Sequence, residues 1–182
     1  MGSGVLAVLA GDARLALIAM AGQYIGAGLL LASAGAGEIA WLHVAVGSLA
    51  CLILALGLRG QPKSYRETDA LLPLPFRIAA LGLTLVAAAV LYQQWTLPYT
   101  DALTTLACFG LVGLLVAQAG LHRAPIRAGM AVMTLLTATS LYLYAAGGGL
   151  ALTAGTLAAH LMAGLAAGHL QSTWNAAAEE EA

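Results

Sequence analysis

Charge is what this sequence has least of. Only 8% of its 182 residues are Asp, Glu, Lys or Arg, against about a quarter in a soluble domain. That shortage excludes an ordinary hydrated surface, so lipid must take its place. Seven basic and eight acidic residues leave a net charge of −1, which excludes the basic patch a nucleic-acid partner needs. Cysteine is nearly absent. Cys51 and Cys108 have no CxxC spacing and sit inside apolar runs, so they read as small packing residues rather than a disulfide framework or a thiolate metal site. No polar stretch is long enough for a soluble domain; the longest are 59–75 and 171–182. The first residues lack the basic n-region of a secretory signal. They read as a retained segment that extends the first apolar run or lies at the membrane interface.

Hydrophobic residues make up 61% of the chain, in six runs: Leu15–Ala34, Ile39–Leu58, Phe76–Trp95, Ala102–Leu121, Ala128–Ala146 and Leu150–Leu170. Each is about 20 residues, enough to cross a ~30 Å hydrocarbon core at 1.5 Å per residue. The fold class expected is all-α: one polytopic bundle of six transmembrane helices in residues 1–182, with 171–182 as a short tail. Arg14, Arg59, Lys63, Arg66, Arg77, Arg123 and Arg127 all fall on one side of this pattern. The opposite turns, around Gly35–Glu38, Leu97–Asp101 and Gly147–Gly149, hold no basic residue. By the positive-inside rule the basic side is cytoplasmic. An even number of spans then puts both termini in the cytoplasm, with the bundle in a bacterial cytoplasmic (inner) membrane.

Short outer turns make the first and second spans, and the fifth and sixth, antiparallel neighbours. Pro73, Pro75, Pro98 and Pro125 fall at span ends, where proline costs little. Gly22-x-x-x-Gly26 and Gly164-x-x-x-Gly168 place paired glycines on single helix faces. These suit close helix packing, either within the bundle or against a second copy or another subunit of a membrane complex. The polar segment 61–69 mixes both charge signs and reads as a solvated connector. Glu179–Glu181 is a short acidic run expected to fray. A faint repeat links the two outer hairpins. Gln23 precedes His43 by 20 residues, Ser140 precedes His160 by 20, and glycine follows each histidine four residues on, at Gly47 and Gly164.

Histidines inside a membrane are functional candidates by default. His43 and His160 both lie on helices running from outside to inside, in the outer half, and are expected to face one another. Two facing imidazoles suit bis-histidine ligation of haem b, with Gly47 and Gly164 giving the macrocycle room. Gln23 and Glu38, near the outer rim, are expected to contact the propionates or set a ligand's tautomer. His122 and His169 lie at the inner ends of their helices. His122, beside Arg123, reads as an interfacial residue.

The stretch Gln23–Leu56, QYIGAGLLLASAGAGEIAWLHVAVGSLACLILAL, resembles one hairpin of the haem A synthase family. There a glutamine opens the helix, a glycine and a short outer turn follow, and a histidine tops the next helix. The resemblance implies that His43 ligates haem, with His160 in TAGTLAAHLMAGLAAGHL as its partner. The chain lacks that family's glutamate before a His-Arg pair and its extracellular cysteine loop, so synthase activity is not implied. A second resemblance is to rhomboid proteases, through WLHVAVGSLACLILALG, FGLVGLLV and AAHLMAGLAAG. The Gly-x-Ser-Gly motif is missing and Thr105 stands near the serine's position, so a rhomboid-like pseudoenzyme is what this resemblance implies.

Transport is the third class. Its polar candidates are Gln23, Tyr24, Thr84, Thr104, Thr105, Gln118, Thr134 and Thr137, which line a path or bond neighbouring backbone. The reading that results is a haem b-binding, redox-associated membrane protein that is not a catalyst by itself. Its alternatives are a cofactor-free accessory or scaffold subunit, a small transporter component, or a rhomboid-like pseudoenzyme.

Overall fold

The computed structural model describes residues 2–10, 12–59, 73–122 and 124–180. Lys63, Arg66, Arg123, the connector 61–69 and Glu181 lie outside the described residues. Among the described residues, seven helices follow in order: α1 Gly2–Leu9, α2 Ala13–Ser33, α3 Gly37–Gly57, α4 Leu74–Gln94, α5 Ala102–Leu121, α6 Pro125–Ala145 and α7 Leu150–Glu180. Six of them, α2 to α7, are long and apolar enough to cross a membrane. Large apolar side chains on their outer faces are exposed, among them Ile18, Trp41, Leu83 and Met162. A surface of that kind is stable against lipid and not against water. The chain is an integral membrane protein of the polytopic helical class.

Two hairpins build the centre. α2 packs on α3, α3 on α7, α7 on α6, and α6 closes the ring onto α2. α5 lies beside α6, and α4 lies beside α5 at the edge of the bundle. Both hairpin turns are made in the same way. Gly35 (φ 89°) and Gly147 (φ 73°) take the left-handed conformation that terminates a helix. The next residue, Ala36 or Gly148, returns its N–H to Leu31 or Leu143. Tyr144 then donates its hydroxyl to the Ala34 carbonyl and ties the two turns together. We call this the far end. Arg14, Arg59, Arg77 and Arg127 mark the other, basic end.

In lipid there is no hydrophobic force between helices, so contact depends on how closely backbones approach. The sequence's glycine pairs are used for that purpose inside the chain. A Cβ at Gly57 would lie 2.8 Å from the Gly168 carbonyl oxygen, and one at Gly164 would lie 3.3 Å from the Ala50 Cβ. Gly22 faces Ser3 of α1, with 3.2 Å from its Cβ position to the Ser3 Cβ. Of the four paired glycines, Gly22, Gly164 and Gly168 meet neighbours within the bundle, and Gly26 has nothing within 4 Å of its Cβ position.

Three expectations are corrected here. First, residues 2–9 neither extend the first span nor lie along the interface. They form a separate half-depth helix, α1, wedged between α2 and α5. An eight-residue helix is about 12 Å long, less than half of the hydrocarbon core. Its first turn lies beside Gln23 and Leu114, near mid-depth, and its last turn lies at the basic end. Second, Arg127 is not a loop charge. It sits in the first turn of α6 and is 1% exposed. The last carbonyls of any helix have no partner within it, and in α1 they are met by side chains. Arg127 donates to Ala7 O (2.8 Å) and Ala10 O (2.6 Å), and Arg77 donates to Leu9 O (3.1 Å). His122 Nε2 lies 3.1 Å from Val8 O, so His122 is buried under α1 rather than interfacial. Positive charge at a helix C-terminus also suits the helix dipole. Third, the tail expected from residue 171 continues α7 through Glu180. Gln171 accepts from the orphan Ile126 N–H at 3.2 Å and donates to Asn175 at 2.9 Å; Asn175 donates to the Gly57 carbonyl at 3.4 Å.

Two outcomes follow. Gly57→Leu is expected to lower stability in detergent by about 1–3 kcal/mol by forcing α3 and α7 apart. Gly82→Ala, with nothing near its Cβ position, is expected to change it by less than about 0.5 kcal/mol; thermal unfolding of the two variants makes the comparison. Arg127→Met leaves the Ala7 and Ala10 carbonyls without their guanidinium donor, while Arg77 and His122 keep Leu9 and Val8. Hydrogen exchange in lipid nanodiscs is expected to rise on the order of a hundredfold in residues 2–9, at about 1.5–3 kcal/mol per bond to a charged group.

Candidate functional site

Each of the four central helices contributes one polar side chain to a single buried layer. Tyr24 comes from α2, His43 from α3, Thr137 from α6 and His160 from α7. All four are between 0% and 1% exposed. The sequence expectation that His43 and His160 face one another is met in space: their ring centroids are 5.5 Å apart and the rings stand at 85°. His160 lies further along its helix than His43 does, and the packing of α3 on α7 brings the two rings to one level. The Tyr24 ring completes a triangle, 5.3 Å from His43 and 5.6 Å from His160. It reaches this position because Gly47, one turn below His43, has no side chain; a Cβ there would strike the Tyr24 ring.

The hydrogen bonds assign the protons. His160 Nδ1 lies 2.7 Å from the Thr156 carbonyl, an acceptor only, so Nδ1 carries the hydrogen. Nε2 is left with a lone pair, 3.4 Å from the Thr137 hydroxyl. Thr137 also lies 2.9 Å from the Met133 carbonyl. His43 Nε2 and the Tyr24 hydroxyl are buried without a hydrogen-bond partner.

One turn nearer the basic end is a second polar layer. Gln23 donates to the Thr134 hydroxyl at 3.4 Å, and Thr134 lies 3.2 Å from Gln118 Oε1 and 2.9 Å from the Met130 carbonyl. Gln23 Oε1 and Gln118 Nε2 have no partner. Of the polar side chains that the sequence singled out, Tyr24 and Thr137 join the imidazoles, while Gln23, Gln118 and Thr134 make this separate cluster. Thr84 bonds backbone carbonyls of its own helix. Thr105 pairs with Thr100 at the start of α5. Glu38 is exposed in the first turn of α3, and His169 is exposed on α7. Neither Gln23 nor Glu38 touches the imidazole pair as expected.

The layer can be tested against a haem. Bis-histidine ligation puts the imidazoles on opposite faces of a planar macrocycle. The Tyr24 ring centroid is nearly equidistant from both imidazoles, so it lies close to the plane that divides them, where the macrocycle would sit. Gly47 is covered by Tyr24 and Gly164 by Ala50, so the two glycines expected to admit the ring are filled. As packed, these residues do not fit a haem. Among the described residues, no group of three His, Cys, Asp or Glu side chains gathers as a metal site.

What the fold and this layer define is a polytopic helical membrane protein with a paired-imidazole core. No protein-family description, curated protein or solved structure matches the chain.

Tyr24 sets the spacing of this layer. Tyr24→Ala removes a ring held against both imidazoles and Gly47 and is expected to cost about 3–5 kcal/mol. Tyr24→Phe keeps the ring and removes only an unpartnered hydroxyl, so its expected cost is under about 1 kcal/mol. Thermal unfolding in one detergent separates the two.

Proposed function

We propose that the protein is a proton-handling membrane component, a small carrier or the proton-relay subunit of a larger complex, in which His43 and His160 take up and release the proton. The observation that carries this reading is the place of Thr137 between His160 Nε2 and the Met133 carbonyl. Its single hydroxyl hydrogen can point either way. When His160 is neutral, Thr137 donates to the Nε2 lone pair. When His160 is protonated, Nε2–H donates to the Thr137 oxygen and Thr137 donates to Met133. Both charge states of His160 are therefore satisfied by one rotation about a hydroxyl bond. A merely structural histidine needs only one of them.

Other features support the reading. Histidine is the side chain whose ordinary titration falls nearest neutral pH. Ionisable groups buried in a membrane bundle characteristically serve as relays. His43 Nε2 has no competing partner, so it is free to exchange a proton with a neighbour or a water. Fixed hydrogen bonds would oppose that step. By the positive-inside rule the basic end faces the cytoplasm, which places the imidazoles nearer the opposite surface.

The test is proton flux in liposomes carrying an internal pH dye, driven by a potassium diffusion potential. The wild type is expected to conduct above protein-free liposomes. His160→Ala and His43→Ala are expected to lose about tenfold or more, and Thr137→Val, which keeps the packing, an intermediate amount. Equal flux in wild type and in folded His160→Ala would overturn the reading. So would a Soret band in the purified protein that disappears in His43→Ala, because the pair would then hold a haem.

A further inference from the structure

The half-depth of α1 has a second consequence. α1 holds α2 and α5 apart along its length, and beyond its first turn nothing fills the gap. A cavity of about 270 Å³ results, lined at its floor by Ser3, Gly4 and Gln23 and along its walls by leucines and alanines of α2 and α5, with Leu141 of α6. Gly26 and Leu103, which border it, are exposed on the face of the bundle that meets lipid. The cavity therefore opens sideways into the membrane.

Two polar side chains, Ser3 and Gln23, line the floor, and Gln23 carries the unpaired group. The side chain is 7% exposed, its Nε2 is committed to Thr134, and its Oε1 has no partner. A Cβ at Gly4 would lie 3.2 Å from that oxygen, so Oε1 sits against the first turn of α1. The first-turn N–H groups of a helix have no acceptor within it, and the N-terminal end of a helix dipole is positive. The floor thus presents an acceptor, Gln23 Oε1, beside donors. A hydroxyl matches both, because it donates once and accepts twice. Among the described residues no charged side chain borders the cavity, and an ionic head group buried there without a counter-charge would be costly.

We infer that this crevice binds the hydroxyl-bearing ring of an uncharged, membrane-dissolved compound of the quinol class. The ring hydroxyl donates to Gln23 Oε1, the ring lies between Ala27 and Ala107, and the tail leaves past Gly26 into lipid. The volume admits one substituted ring and no helix of another chain. The site does not rest on the imidazole layer. His160→Ala is expected to bind the quinol as wild type does, so failure of the relay and failure of this site are separate results.

The experiment measures retention of a radiolabelled decyl-substituted benzoquinol by the full chain in nanodiscs of one lipid. Decylbenzene, which lacks hydroxyls, and protein-free nanodiscs serve as controls. Saturable binding of one quinol per chain is expected. Gln23→Leu should weaken it about tenfold, the equivalent of 1.4 kcal/mol. Gly26→Phe, at a position with nothing within 4 Å of its Cβ, should block entry and abolish binding while the chain still folds. Absence of saturable binding would overturn the inference. Equal retention of decylbenzene, or full binding by both variants, would do the same by showing that the crevice holds hydrocarbon only.

Discussion

A backbone carbonyl cannot be left unpaired in hydrocarbon, and Arg127 is where this chain meets that constraint. A helix that stops at mid-depth brings a full set of terminal groups into the bundle. α1 is tolerable only because Arg127, Arg77 and His122 converge on its last carbonyls. The same arrangement answers for the cost of burying a guanidinium, since carbonyl dipoles at a helix C-terminus replace its water. With α1 fixed at one end, α2 and α5 are held apart. The lateral crevice and the exposed face of Gly26 follow from that separation. The gap between α2 and α5 also leaves α6 to close the central ring against α2, which brings Thr134 and Thr137 inward.

Within that ring, small residues decide what can meet. α3 and α7 approach closely at Gly57, Gly164 and Gly168, and this approach carries His43 to His160. Gly47 does something different: it leaves a socket for the Tyr24 ring. Had the socket stayed open, a planar cofactor between the imidazoles would have been the natural occupant. With the aromatic ring in place, the pair is close-packed and its unsatisfied atoms are nitrogens and a hydroxyl, so proton chemistry suits it better than ligation of a large macrocycle. The polar floor at Gln171 and Asn175 plays a quieter part. By capping the first turn of α6 it fixes the height of α6, and with it the register of Thr137 against His160.

The sequence made the six spans legible, because they depend on long apolar runs; for the two histidines it gave a shared helix direction and a similar depth, and their meeting depends on how the two hairpins pack. α1 was not legible. Eight apolar residues before Asp12 look the same whether they lengthen a span, lie on the interface or turn back into the bundle. Arg127 misled for a related reason. A charge lowers hydropathy locally, and next to Pro125 an arginine reads as loop. Its true position depends on carbonyls some 120 residues earlier in the chain, which no local window contains. Tyr24 and Thr137 were visible as polar residues, but nothing in their spacing tied them to the histidines. Gln23, next to Tyr24, carries the 20-residue spacing to His43, yet its side chain belongs to the other layer. The extension of α7 was hidden by its polar face, which reads as tail until Ile126 and Gly57 are seen to need partners there.

The two polar layers differ in what their chemistry permits. The layer of Gln23, Thr134 and Gln118 contains amides and a hydroxyl, none of which titrates in the physiological range. It can orient a neutral ligand, and it cannot store a proton. The layer of Tyr24, His43, Thr137 and His160 contains two imidazoles, which can. One turn of α6 separates Thr134 from Thr137, so a single helix sets the position of both hydroxyls. Thr134 belongs wholly to the lower layer, where its hydroxyl meets Gln23, Gln118 and the backbone of α6 at once. Thr137 belongs to the upper one, where it lies between His160 and the Met133 carbonyl, so the two layers share a helix and divide its chemistry between neutral hydrogen bonding and proton exchange.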